Sequence, residues 1–154
     1  MADQSNSDLI HFESTRFGTQ VVERDKTIEI LGGIIGFPGL TQFTILEYTA
    51  PFSWLHSLER ADLAFVVVNA AEFGSDYVVP LPIGDPDLQI SGVDDVAIIN
   101  LVSVRPDPTL TTVNLKAPVI VSLVNRKGRQ IVLDNPRYPV RMSLWMKDEP
   151  TKEG

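Results

Sequence analysis

At 154 residues with a formal net charge of -7, the chain is long enough for one domain with a real core, and its acidity disfavours phosphate backbones as partners. It has no cysteine, which excludes disulfides and thiolate metal sites and fits a reducing compartment. No apolar run approaches the roughly 18 residues of a membrane helix, and the polar, acidic residues 1–8 are unlike a secretory signal, so a cytoplasmic protein is expected.

Residues 1–10 and 147–154 are polar and are expected to be flexible tails around a single β-rich domain at 11–146. The first ordered unit reads as a hairpin of 18–23 and 27–31 joined at Arg24-Asp25-Lys26, with Thr27 and Glu29 alternating against Ile28 and Ile30. Residues 32–40 hold four glycines and a proline among apolar side chains and predict a tight, packed loop. The loop has neither a Gly-Lys-Ser/Thr ending nor GxGxxG spacing, so a phosphate cradle is not supported.

Residues 51–77 form the centre of the pattern. Leu63-Ala64-Phe65-Val66-Val67-Val68 is short and rich in β-branched residues, which predicts a strand covered on both faces. Phe52 and Trp54 flank Ser53 in an extended segment before it, and Trp54, Phe65 and Phe37 are the large side chains expected in the core. Asp85 is placed to cap a short helical turn with Pro86, running through Ile90 and ending at Ser91-Gly92. Strands are expected at 96–104, 111–116, 119–124 and 129–133, with a turn at Asn125-Arg126-Lys127-Gly128 in which the glycine takes positive φ. No internal repeat is present.

Charge is segregated along the chain. Between 61 and 104 every charged residue is acidic (Asp62, Glu72, Asp76, Asp85, Asp87, Asp94 and Asp95), whereas 105–141 is mainly basic. Either each set solvates a different edge of a sheet, or the acidic set forms a face that draws in a basic partner.

Several spaced blocks resemble one known family. Gly33-Ile34, Gly36-Phe37, Leu40 and Phe43 are similar to its GIPGF signature and the strand after it. Pro51, Phe52, Trp54, Leu55 and Ser57, then 63–67 and Asp76-Tyr77, continue the match. Asp107-Pro108, Thr112, Asn114-Leu115, Ala117-Pro118, 125–128, Gln130, Val132-Leu133, Tyr138 and Arg141 complete it, in the order and spacing of the flagellar assembly factor FliW family. Ile35, Pro38, Asn69-Ala70 and Ser122 depart from the pattern, which alters the loop locally and removes an acid at position 38.

The resemblance implies an all-β, mostly antiparallel, compact barrel-like single domain with one or two short helical turns. It also implies a non-enzymatic role without cofactor: binding the translational regulator CsrA, a small basic RNA-binding dimer, so that flagellin synthesis is no longer repressed. Flagellin is the second implied partner, its binding freeing CsrA. The acidic stretch offers Glu72, Asp76, Tyr77, Asp85, Asp87, Asp94 and Asp95 as partner-binding residues, with a monomer as the default state. Tyr77 has a second reading, as a core-edge tyrosine with its hydroxyl in water.

Enzyme chemistry finds little support. Neither His11 nor His56 has a metal-ligand companion at useful spacing, Ser53 and Ser57 flank His56 without a GxSxG elbow, and Asp85/Asp87 and Asp94/Asp95 read as loop carboxylates. The alternative function is a small β-barrel that binds a small ligand or RNA through the basic 125–129 hairpin, although that hairpin has no aromatic neighbour on which bases would stack.

Overall fold

The computed structural model describes residues 8–144. The expected tail at 147–154 and most of the one at 1–10 lie outside that range. Leu9 and Ile10, read as the end of a polar tail, instead open β1 (Leu9–Ser14). This strand pairs antiparallel with β2 (Gly18–Glu23) as a separate two-stranded sheet, from Leu9↔Glu23 to Ser14↔Gly18.

That pairing corrects the expected first hairpin. A 3-10 turn at Arg24–Lys26 separates β2 from β3 (Thr27–Ile30), which enters the main sheet. There β3 lies antiparallel to β4 (Gln42–Glu47) and parallel to β10 (Lys127–Gln130). Local alternation located both strands, but the pairing depended on apolar faces from distant parts of the chain.

From β4 the chain meanders through β5 (Phe52–Ser57), β6 (Ala64–Asn69) and β7 (Val96–Ser103). The hairpin of β9 (Val119–Ser122) and β10 then returns. Because β9 pairs with both β10 and β7, the circuit β3-β4-β5-β6-β7-β9-β10 closes into a seven-stranded barrel with no free edge. The two-residue strands β8 (Thr112–Val113) and β11 (Met142–Ser143) branch from β7.

Pleat alternation gives this barrel two apolar surfaces. Ile28, Ile30, Phe43, Leu55, Val67, Val119 and Val121 pack together with Ile34 as the interior. Val66, Val68 and Val102 face outward and are covered by Val113, Leu115, Leu133 and Tyr138. Leu88 and Ile90 cover Ile120 on another part of the outside. This double covering explains why β6 buries Val66, Val67 and Val68 in succession, as its unbroken apolar run predicted.

The large aromatics sit differently from expectation. Trp54, Phe65 and Phe37 are only half-buried. Trp54 lies on the outer face of β5, opposite Val66, between Tyr48 at 4.7 Å and Phe17 at 5.8 Å, with the Arg16 guanidinium 4.7 Å from its ring centre. The neighbouring residue Leu55, fully buried, occupies the interior. A strand that alternates between two apolar surfaces does not reveal from its sequence which one is deeper.

Two glycines are dictated by space. In the packed loop, Gly33 has φ +73, and a Cβ there would meet the Phe37 carbonyl oxygen at 2.5 Å. Gly128 was expected to supply positive φ, yet Arg126 does so at φ 63. Gly128 is required for another reason: a Cβ would lie 2.9 Å from the Ile120 carbonyl oxygen across the β9–β10 pair. Gln130 ties the two regions together by accepting from the Ile35 N–H at 2.7 Å and donating to the Ala117 carbonyl at 3.0 Å.

Side chains shorten several expected elements. The Asn114 carboxamide oxygen accepts from the Lys116 and Ala117 N–H groups, so ladder pairing in 111–116 is confined to β8. Ser122 Oγ accepts from the Val124 and Asn125 N–H groups and ends β9. The expected helix after Asp85 is a single turn, Gln89 N–H to the Asp85 carbonyl at 3.1 Å, stopped by Gln89 at φ 56 before Ser91-Gly92.

Candidate functional site

The acidic stretch leaves the barrel after β6 and rejoins it at β7. Asn69 accepts from the Ala71 N–H at 2.9 Å and caps a 3-10 turn, Ala70–Phe73, which carries Glu72 into solvent. A second 3-10 turn, Val93–Asp95, leads into β7. Asp95 accepts from the Ser91 and Gly92 N–H groups at 2.8 and 3.3 Å, which anchors this turn, while Asp94 is exposed. Asp76 is exposed too, and its carbonyl accepts from the Tyr138 hydroxyl at 2.9 Å.

Tyr77 is partly buried, and its hydroxyl is bonded within the protein rather than left to water. Its hydroxyl donates to the Leu115 carbonyl at 2.6 Å and accepts from Asn100 Nδ2 at 2.8 Å, and its ring meets Tyr138 and Phe73 edge-on. Burial pushes its phenol above the ordinary value, against the opposing effect of the Asn100 amide. Neither sequence reading of Tyr77, as a contact residue or with its hydroxyl in water, anticipated this pinning of the 70–81 segment to the barrel.

The acidic and basic halves of the sequence meet in space. Arg129 donates to Asp85 at 3.0 Å and to Asp87 at 3.0 Å. The Asp87 N–H first, and the Arg129 guanidinium second, hold the Asp85 carboxyl below its ordinary range. Arg126 donates to the carbonyls of Lys26 and Thr27 at 3.2 and 3.3 Å, fastening the β9–β10 hairpin to the start of β3. The two arginines of the proposed RNA-binding hairpin thus have internal partners, and no observation favours that alternative.

The seven proposed contact residues therefore separate. Asp85, Asp87 and Asp95 hold loop structure, Tyr77 holds the segment down, and Glu72, Asp76 and Asp94 project into solvent. A groove of about 560 Å³ is lined by Asn69, Ala70 and Ala71 on one side, Tyr77, Val79 and Leu81 along the segment, and Val93, Val96, Ala97, Ile98 and Leu123 on the barrel side. Sequence reasoning missed these aliphatic residues. The available signal was Val93, a large apolar residue between Gly92 and Asp94, which is 73% exposed. A second apolar groove of about 280 Å³ lies on another face between Tyr48, Phe52, Val104, Pro108 and Leu144.

His56 is a structural residue. It is fully buried, with Nδ1 2.7 Å from the Ser57 carbonyl and Nε2 2.9 Å from Ser14 Oγ. Ser14 Oγ also accepts from the Arg16 and Phe17 N–H groups, so this set anchors the β1–β2 hairpin to β5. His11 lies exposed on β1. Among the described residues, no group of three or more His, Cys, Asp or Glu is placed to hold a metal, and no helix is long and apolar enough to cross a membrane.

Comparison with known proteins agrees with this architecture. The sequence model of the FliW protein family matches residues 11–144. The flagellar assembly factor FliW of Caldicellulosiruptor saccharolyticus is 41% identical over 131 residues, covering 84% of this chain and 86% of the relative. That of Geobacter sulfurreducens is 37% identical, covering 83% and 82%. A crystal structure of the flagellar assembly factor FliW superposes with a TM-score of 0.79 at 28% identity, covering 88% of this chain and 96% of the other. With its closed barrel and its matched length, the chain belongs to the FliW family of flagellar assembly factors.

Proposed function

We propose that this flagellar assembly factor works in the cytoplasm as a partner-switching regulator. It binds CsrA and stops it repressing translation of flagellin. Cytoplasmic flagellin binds in its turn and releases CsrA, so that flagellin synthesis falls until export frees the factor again. The observation that carries this reading is family membership across nearly the whole described chain. The acidic stretch supports it, because Glu72, Asp76 and Asp94 present negative charge to a basic protein. Those three are proposed as direct contacts. Tyr77, Asp85, Asp87 and Asp95 shape the surface and add to its field.

The test is calorimetric titration of the protein with CsrA from the same organism, repeated with flagellin already bound. Tight binding abolished by flagellin is the expected result. Flagellin binding without CsrA binding reduces the function to a flagellin chaperone, and silence towards both partners overturns the proposal.

A further inference from the structure

Closure leaves the barrel without a free edge, but the β1–β2 hairpin stands outside it as a separate two-stranded sheet. The Arg24 N–H donates to the Asp8 carbonyl at 2.6 Å, in the same register that sets Leu9 against Glu23. The even-numbered residues of β2 therefore exchange ladder hydrogen bonds with β1, and the N–H and C=O groups of Thr19, Val21 and Glu23 point the other way. Among the described residues no strand lies along that edge. The Thr19 carbonyl accepts from the neighbouring Gln20 amide at 3.2 Å and keeps a second lone pair. Open edges are ordinarily blunted by proline, lysine or a bulge. β2 reads Gly-Thr-Gln-Val-Val-Glu and pairs with β1 without a bulge, so it carries none of these devices. The outer edge of β1 is less open, because the Thr15 N–H donates to the Ala61 carbonyl at 2.9 Å where that strand ends.

We infer that the β2 edge pairs with the β2 edge of a second copy of this chain, antiparallel about a two-fold axis at Val21. The register is self-complementary. Val21 meets Val21 of the second copy and Thr19 meets Glu23 in both directions, so three residue pairs each exchange two backbone hydrogen bonds. Val21, 49% exposed in the single chain, is covered by its own counterpart. No carboxylate faces a carboxylate across the axis. The two Glu23 side chains lie four residues apart along the strands, about 13 Å, which exceeds the screening length of about 8 Å. The same operation on β1 sets His11 against His11, whose protonated forms repel. Joining β1 of one copy to β2 of the next builds an open array with no closed end. Self-complementarity and closure thus select a second copy joined through β2.

The experiment is analytical ultracentrifugation of the full chain over a concentration series reaching about 1 mM, a range suited to a contact smaller than a standard interface. Its readout is mass with no other protein present, so it stands apart from the proposed function. Variants are Val21→Lys, Val21→Glu and His11→Lys, the last a control on the β1 edge. Both side chains are exposed, so melting curves close to wild type are expected for every variant. The wild type is expected to pass from monomer to dimer as concentration rises. Each Val21 variant alone sets like charges across the axis and should associate about tenfold or more weakly. An equimolar mixture of Val21→Lys and Val21→Glu should restore the dimer, which a damaged hairpin would not do. His11→Lys should dimerise like the wild type. A wild type that is monomeric throughout overturns the inference, as does equal dimerisation by Val21→Lys or loss of the dimer in His11→Lys. A monomeric wild type whose binding to CsrA is lost in Val21→Lys gives the edge to a foreign strand and overturns it too.

Discussion

At the scale of single residues, backbone geometry is the strictest constraint in this chain. Gly33 combines positive φ with a site where a Cβ has backbone atoms at 2.5 and 2.9 Å, so neither the residue nor its neighbours can relax cheaply. Gly33→Ala is therefore expected to destabilise by roughly 2–5 kcal/mol, from the left-handed conformation and from overpacking together. Gly32, at φ +82 with open space around its Cβ position, isolates the conformational part. Gly32→Ala is expected to cost only about 1–2 kcal/mol. Urea denaturation of both variants measures the difference, and equal losses would show that the close approach is absent in solution.

At the scale of elements, β5 faces two environments. Leu55 is fully buried in the barrel interior, whereas Trp54 on the other face keeps part of its ring exposed beside Tyr48 and Arg16. Leu55→Ala is expected to cost about 2–5 kcal/mol, as for a filled core site that cannot collapse. Trp54→Ala, despite removing the larger side chain, should cost less, about 1–3 kcal/mol, because much of the vacated volume opens to solvent. Chemical denaturation gives the order, and a Trp54 loss above that of Leu55 would contradict the placement. The β1–β2 hairpin is a second element with its own anchor. Ser14→Ala leaves the Arg16 and Phe17 N–H groups and His56 Nε2 without their partner. Faster hydrogen exchange confined to 9–23, with β5, β6 and β7 still protected, is the expected result, reflecting about 1–3 kcal/mol of local stability.

At the scale of the whole molecule, closure joins segments of opposite charge. Unfolded Asp85 titrates near the ordinary aspartate value of about 4, and its folded value lies lower, so its carboxylate contributes stability at higher pH. That contribution is fully present above the unfolded value and disappears as pH falls through the folded one. Asp85→Asn should therefore flatten the fall in urea midpoint as pH drops below the ordinary aspartate value. Arg129→Leu should flatten it only in part, because the Asp87 N–H is the larger cause of the shift. An unchanged acid profile in Asp85→Asn would show that the Asp85–Arg129 contact does not persist in solution.

What the sequence determined by itself was local. Unbroken β-branched runs specified β6 and β7, alternation specified β3, four glycines among apolar residues specified a packed loop, and spaced motifs specified the family. These properties depend on backbone sterics and on side chains within a few residues of one another. The tertiary structure alone decided that β2 pairs with β1, that β3 runs parallel to β10, and that Leu55 lies deeper than Trp54. It also brought Asp85 and Asp87 to Arg129 and folded the Asp95 carboxylate onto the Ser91 and Gly92 N–H groups. A carboxylate has the same charge in the sequence whether its partner is forty residues away or is water, and only closure of the barrel brings that partner within reach.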